Sequence, residues 1–533
     1  MPSECISLRE TGYFSGLICD YVEKKERLSP FYHRFPEPAA LGEQMKEKQS
    51  FYSPEARKIL GEVLKRQYEG TEVSAATRSN MEALTAPGTF TVTTGHQLNL
   101  FTGPSYFLYK IVSAVKLAAR LNETYPEKKV VPVYWMATED HDFEEISHFY
   151  FNGKNFNWNR PSGGAVGRFS TDGLEEVFQL FSAELGPGTH ADELRELFRE
   201  AYLGRDNLAQ ATRFLVNRLF GHYGLVIVDG DDKLLKERFV PYMEGELLEH
   251  TAYDQVSHTS EKLREAGYGI QVNPREINLF YLGEDFRERI EKDGDGYTVH
   301  GTDISWGRDA LLKHLREAPE RFSPNVLMRP LYQEVVLPNL CYIGGGGEIA
   351  YWLQMKDFFN AVKVPFPVLL VRNSVLVISA REREKMERLH LQPASLFMER
   401  DAFINRKVRE ISDIDIDFTP QKTHLRQQFK GLYALAERTD KSFENAVKAQ
   451  EVKQLEGLEK LEKRLLKAQR RKLSDHVVRI TGLQDELFPG RSLQERTVNF
   501  SWFYREYGSG FIAVLMEVLE PLEGGFTILT MKE

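Results

Sequence analysis

The spacing of apolar residues changes along the chain, and each change predicts a different kind of element. Thr89 to Thr94 is a β-branched run with Phe90 and Val92 at alternate positions, which predicts a buried strand over 89–97. Gly95 breaks the run. Thr102-Gly103-Pro104-Ser105 then has the residues of a helix start, with proline near the first position and hydroxyls to cap. Phe107, Ile111, Ala114, Val115 and Ala118 recur at helical spacing and predict one apolar face. Val130, Val131, Val133, Tyr134 and Trp135 predict a second strand over 130–137. Strand, helix and strand in this order make a βαβ unit with a right-handed crossover, and ligands of such sheets gather at the carboxyl ends of the strands. Buried strands are also expected at 224–228 and 368–371. The expected fold class is α/β, with a mostly parallel, doubly wound sheet.

Elsewhere the pattern is coarser. Residues 1–88 read as mostly helical, with polar breaks at Ser29-Pro30 and Ser53-Pro54, and the turn-rich 152–168 suits a small hairpin insertion. Strands are expected at 269–272 and 278–282, and a Gly/Asp-rich connection at 293–308. From 381 the character changes to dense charge with Leu455, Leu458, Leu461, Leu465 and Ala468 at three- and four-residue spacings. Between about Asp440 and Leu487 there is no proline, and the only glycines are Gly457 and Gly482. One straight helix over that span would reach ~70 Å. An antiparallel hairpin or coiled coil turning near Thr439-Asp440 is therefore expected, a solvated helix on the core being the alternative. A leucine stripe left partly exposed on such an arm predicts a homodimer through it. The expected divisions are 1–88, a helical part of the core; 89–151, the first βαβ unit; 152–222, an insertion; 223–380, the second part of the core with a further insertion; 381–490, the coiled coil; and 491–533, a tail docking on the core.

Composition narrows the function classes. The 533 residues carry 69 Lys plus Arg against 78 Asp plus Glu, a net charge of −9, which argues against a general nucleic-acid binder. No apolar run approaches the ~18 residues of a membrane helix, and the opening MPSECISLRE lacks a signal-peptide pattern. Cys5, Cys19 and Cys341 form neither a disulfide framework nor a zinc motif. A cytoplasmic protein is expected.

The chemistry-bearing residues cluster in three places. Gly95-His96-Gln97 followed by Thr102-Gly103-Pro104 puts an imidazole and a helix N-terminus at one sheet edge, suited to a phosphate or carboxylate; the plain alternative is a loop whose histidine caps a strand. It matches neither a GxxxxGK[ST] loop nor GxGxxG. Glu139-Asp140-His141-Asp142 ends the second strand. A metal site there alone is disfavoured, because neighbours in an extended chain point apart. A carboxylate that grips an ammonium group or takes its proton is preferred over a merely solvated strand end. Gly344-Gly345-Gly346-Gly347-Glu348 permits close approach of a ligand to backbone, or simply makes a tight turn. Cys341 sits in apolar company and reads as a buried small residue.

The stretches TGHQLNLFTGPSYFLYK, VPVYWMATEDHDFEEI and RPLYQEVVLPNLCYIGGGGEIAYW resemble the cysteine-adding enzyme family of bacillithiol biosynthesis (BshC), and the resemblance runs through the helical segment and the LQERTVNF tail. One departure is Gly346, where the family pattern has proline. The resemblance implies a Rossmann-like core related to class I nucleotidyl transferases, connecting insertions, and a coiled-coil arm that pairs protomers. It implies a ligase joining cysteine to the sugar amine of glucosaminyl-malate. Forming an amide from a carboxylate in water needs an activated acyl group, so ATP and Mg²⁺ are expected. Catalytic candidates are His96, Asp140, His141 and Asp142. Substrate-binding candidates are Gly95, Gln97, Gly103, Tyr109, Lys110, Glu139, Arg329, Gln333, the 344–348 run and Arg372. In the tail Gln494, Arg496, Asn499, Trp502, Phe503 and Tyr504 suit either an adenine with its phosphates or a hydrophobic docking helix. The rival readings are a coiled-coil scaffold with a relict core and a metal-dependent hydrolase.

Overall fold

A computed structural model describes residues 3–532. They fall into two compact units: residues 3–9, 13–376 and 492–529 form the first, and residues 10–12, 377–491 and 530–532 the second. Among the described residues no helix is long and apolar enough to cross a membrane.

The centre of the first unit is a five-stranded parallel sheet. Its strands are β1 (Thr89–His96), β2 (Lys129–Met136), β3 (Val226–Asp229), β4 (Asn339–Gly344) and β5 (Val368–Val371), in the order β5-β4-β1-β2-β3. Phe90 lies opposite Val130 and Tyr342 opposite Thr93, so the first two strands pair as the βαβ reading requires. Almost every residue of these strands is buried, the mark of a parallel sheet covered on both faces. Helix α1 (Tyr106–Thr124) lays Ala114, Leu117, Ala118 and Leu121 on Phe90, Val92, Val130, Leu340 and Val368. Each leucine, valine or phenylalanine of this set withdrawn from water contributes roughly 1.5–3 kcal/mol. β4 sits beside β1 in mid-sheet although its sequence reads as punctuation, because Pro338 and Gly344 bracket only Leu340–Ile343.

Two further expectations need correction. Residues 293–308 are not a connection: Arg287–Asp293, Gly296–Val299 and Ser305–Gly307 are strands of a five-stranded antiparallel insertion that also contains Leu279–Leu282 and Phe322–Pro324. Arg287–Asp293 is mostly charged and exposed, and Gly296–Val299 and Ser305–Gly307 are only four and three residues long, so no apolar run betrays these three. Residues 269–272 are not a strand; Gln354 instead satisfies the backbone N–H groups of Gln271 and Val272. The small hairpin exists, but pairs His148–Phe151 with Lys154–Asn157 through an Asn152-Gly153 turn with both φ positive, as tight hairpins favour.

The second unit is helical. Thr419–Ala436 and Lys441–Lys472 form a hairpin whose second helix is capped by Asp440, where the turn is expected. The long helix is not continuous to Leu487: it ends at Leu473, whose ψ of 23° interrupts the ladder, and Ser474–Leu487 follows as a separate helix. Phe429, Ala436 and Val447 make one core cluster, and Ile404, Val408 and Ile416 another that takes in Leu465 and Val477.

Candidate functional site

The sheet order places a topological switch between β1 and β4, since the chain runs outward from β1 through β2 to β3 and then returns to β4 on the other side. Strand ends diverge at such a point and leave a crevice. Gly95-His96-Gln97 leave β1 there, and Gly344–Gly347 leave β4. Helix α2 (Gly346–Trp352) begins at once, with Gly346 at its first position, a place where proline is tolerated.

A carboxylate ties the two strand ends together. Glu348 accepts from Lys110 Nζ at 2.6 Å, from Tyr342 Oη at 2.7 Å and from the backbone N–H of Gly345 at 2.8 Å. Lys110 also donates to Gly95 O at 2.6 Å. Burial opposes the charge on Glu348, but Lys110, the Gly345 N–H and Tyr342 outweigh it and hold the carboxyl below its usual range. Burial likewise lowers Lys110, against the pull of Glu348. Lys110 is therefore a structural cation rather than a free one. A methyl group on Gly95 would meet Tyr342 Oη at 3.2 Å and Arg329 at 3.5 Å, so the close approach of these side chains requires glycine there.

His96 lies against Phe107, with Tyr106 edge-on at 5.3 Å. The Arg372 guanidinium covers the Tyr106 ring at 4.9 Å. Burial, with Lys110 and Arg372 nearby, holds His96 well below the ordinary imidazole range, so the ring is neutral at neutral pH. Arg372 forms a two-pronged pair with Glu495 at 2.8 and 3.1 Å, the geometry that fixes a guanidinium most firmly. Arg329 donates to Gln333 at 3.1 Å. Among the described residues, three buried nitrogens of this group, His96 Nε2, Arg329 Nη2 and Arg372 Nε, have no hydrogen-bond partner. Buried polar groups are rarely left so, and three such nitrogens on one crevice suit oxygen acceptors of a carboxylate or phosphate.

The acidic cluster separates into distinct roles. Glu139 turns away to pair with buried Lys236 at 2.7 Å. Asp142 accepts from the backbone N–H of Glu145 and caps Phe143–Ile146. Asp140 remains at the crevice, bonded by Gln97 and by the backbone N–H of His141, with Arg287 3.5 Å away. Burial opposes its charge, but His141, Arg287 and Gln97 outweigh it and hold it below the usual carboxylate range. Glu145 shifts the other way, raised by burial and then by Asp140 and Asp142. Among the described residues no three His, Cys, Asp or Glu side chains are grouped to hold a metal ion.

Several candidates lie elsewhere. Tyr109 is fully buried within α1. Gln333 is sealed between Arg329 and Glu334 and positions the arginine rather than facing a ligand. Gly103, with φ +62°, belongs to a loop in which Phe101 and Thr102 also have positive φ. Asn499 clamps that loop, donating to Phe101 O at 2.7 Å and Gly103 O at 2.6 Å, while Ser105 N donates to Val498 O. The helix start is thus covered by the tail rather than open. The tail residues do not converge: Gln494 is buried, Arg496 lies over Phe14, Trp502 packs on Phe151, Phe503 on Phe511 and Tyr504 on Phe500. Docking, the alternative for this stretch, describes these contacts. Cys341 is buried in β4, and burial pushes its thiol far up. Sequence reasoning missed Tyr106, Tyr342, Arg287 and Glu495, each of which meets the crevice through a partner distant in sequence or through a ring face.

Comparison with known proteins agrees with this architecture. The family described as "Bacillithiol biosynthesis BshC, N-terminal Rossmann-like domain" matches residues 1–373, and its "C-terminal coiled-coil domain" matches residues 375–531. A protein of Christiangramia forsetii named "Putative cysteine ligase BshC" is 57% identical over 535 residues, covering 99% of each chain. Proteins of the same name from Flavobacterium johnsoniae and Flavobacterium psychrophilum are 54% and 51% identical, covering 100% and 99% of each chain. The sheet order, the arm and matches across nearly the full length lead to one conclusion: the chain belongs to the BshC family of bacillithiol biosynthesis.

Proposed function

We propose that the chain is an amide-forming ligase that joins the carboxyl group of cysteine to the sugar amine of glucosaminyl-malate. The observation that carries this reading is the pairing of unlike groups at one crevice: unsatisfied nitrogens on His96, Arg329 and Arg372, with the carboxylates Asp140 and Glu145 alongside. The substrates demand both signs, cations for malate or cysteine carboxylates and an anion for the cysteine ammonium. ATP supplies the activation that an amide bond formed in water requires. The unsatisfied nitrogens fit phosphate as well as carboxylate oxygens, and Mg²⁺ with few protein ligands normally travels on the nucleotide phosphates.

In this reading Asp140, firmly ionised, holds the ammonium group of cysteine. Arg329 and Arg372, each braced by its own buried partner, orient carboxylate or phosphate oxygens without reorganising. His96, being neutral, adds a hydrogen bond there without adding charge. The attacking amine must lose a proton, and Glu145, with its carboxyl raised above the usual value, is the matched acceptor.

The test is direct. The purified chain is mixed with cysteine, glucosaminyl-malate, ATP and Mg²⁺, the thiol product is followed by mass spectrometry, and pyrophosphate is distinguished from orthophosphate. Asp140→Asn is expected to lower turnover by about 100-fold, whereas Asp142→Asn, still a good cap, stays within about twofold. Full activity in Asp140→Asn removes that residue from the ammonium site. Absence of product from the wild-type chain with intact substrates sinks the reading.

A further inference from the structure

Arg287 comes from the antiparallel insertion, 146 residues after His141 in sequence, and reaches the end of β2. Its side chain is 7% exposed. Its Nε donates to Ser323 Oγ at 3.0 Å and its Nη2 to Pro324 O at 2.9 Å, and the guanidinium lies 4.0 Å over the ring of Phe280. The remaining prong, Nη1, is 2.9 Å from His141 Nδ1. The imidazole packs on the same Phe280 ring at 5.6 Å.

A guanidinium offers only donors and does not lose its charge in proteins. The atom it faces must therefore present a lone pair, so His141 Nδ1 is unprotonated and the ring proton sits on Nε2. Asp140 Oδ1, 3.4 Å from the same Nδ1, favours the opposite tautomer. That contact is the longer one, and Oδ1 already accepts the backbone N–H of His141 at 2.8 Å. A proton on Nδ1 would also be driven against the Arg287 N–H. We propose that Arg287 is a positioning residue that holds His141 as the Nε2–H tautomer, giving the crevice a neutral hydrogen-bond donor beside Asp140. Among the described residues Nε2 has no partner in the chain, and the imidazole is 46% exposed. Such a donor suits an oxygen of the carboxyl group whose neighbouring ammonium Asp140 holds; that role rests on the ligase reading, the tautomer does not.

The full chain labelled with ¹⁵N-histidine tests this by long-range proton–nitrogen correlation, the His141 signal being identified by its loss in His141→Gln. The expected wild-type pattern is a protonated Nε2 and a bare Nδ1. In Arg287→Met the proton moves at least partly to Nδ1, facing Asp140, and kcat falls by about 100-fold while KM for cysteine changes only a few-fold. Arg287→Lys, which keeps one donor, restores the wild-type tautomer with a smaller loss of rate. A protonated Nδ1 in the wild-type chain overturns the proposal, as does an unchanged tautomer in Arg287→Met. If Arg287→Met does not fold, the wild-type spectrum and the lysine variant decide. If the wild-type chain forms no product, the ligase reading fails, and the spectrum still decides the tautomer.

Discussion

The parallel sheet and the helical hairpin use their apolar residues in opposite ways. In the sheet unit Leu117, Val130, Leu340 and Val368 are buried against one another, and little apolar surface is left over from the strands. In the hairpin only Val447 and Gln469 of the 32-residue helix are buried, while Leu435, Val452 and Leu461 stand 54, 49 and 52% exposed. The lesson is that apolar spacing alone does not say where a side chain is buried. One region closes on itself, and the other leaves these apolar side chains uncovered by its own fold, which is why we propose a second copy of the arm as their partner.

That contrast can be broken at several points. The largest effect is expected at Glu495→Gln, which strips the buried Arg372 of its counter-charge; such a loss costs about 3–5 kcal/mol, read from denaturant unfolding. A cost below about 1 kcal/mol would mean that the crevice end of the sheet is as permissive as the arm. Next, Leu117→Ala should cost about 2–5 kcal/mol, whereas Leu461→Ala should stay within about 0.5 kcal/mol when measured on the dissociated chain. Equal costs would erase the distinction. A third test replaces Val452 and Leu461 together with Glu. Light scattering at low micromolar concentration is expected to show the dimer mass halved, with an unchanged circular dichroism spectrum; an unchanged mass rules these two side chains out as a dimer contact. Leu465 is the wrong target, because it packs on Ile404 and Val408 within its own unit.

The smallest effect concerns pH. His96 titrates well below its usual value in the folded state, so the unfolded chain binds the proton more readily. Its contribution to stability is then complete above about pH 6.5 and is lost as pH falls from there towards the folded value. His96→Gln should flatten the fall in Tm between about pH 6.5 and 5. An identical fall in both proteins would show that burial of His96 is not what sets it.

Much of the sheet was legible because a parallel strand buried on both faces writes a continuous β-branched run, as at Thr89–Thr94 and Val130–Trp135. β4 was not, since its four apolar residues are enclosed by Pro338 and the glycines. The antiparallel insertion was hidden for the opposite reason: Arg287–Asp293 alternates charges with few apolar residues. At the crevice, His96, Asp140 and Arg372 were legible as polar groups at strand ends, and Arg329 as a cation that carboxylate substrates would need. The fates of Glu139 and Asp142 were not, because a carboxylate does not announce whether it will meet a lysine 97 residues away or the N–H three residues on. Arg287 and Glu495 were missed because their significance lies wholly in partners that the fold brings together.

The clamp of Asn499 on the Phe101–Gly103 loop also sets an order of events during synthesis. Three successive left-handed residues, two of them with side chains, are a conformation the loop does not hold by itself, at about 1–3 kcal/mol for each non-glycine position. The residue that holds it leaves the ribosome long after the loop does. At about 5–20 residues per second the interval is roughly 20–80 s. During that time the nascent chain can build the pairing of β1 with β2, yet the loop that leads into α1 stays unset. Strand Ser3–Ile6 waits longer still for its antiparallel mate Phe526–Thr530. A half-made chain therefore lacks both this clamp and the Glu495 partner of Arg372, and competence waits for the stretch that carries Glu495 and Asn499.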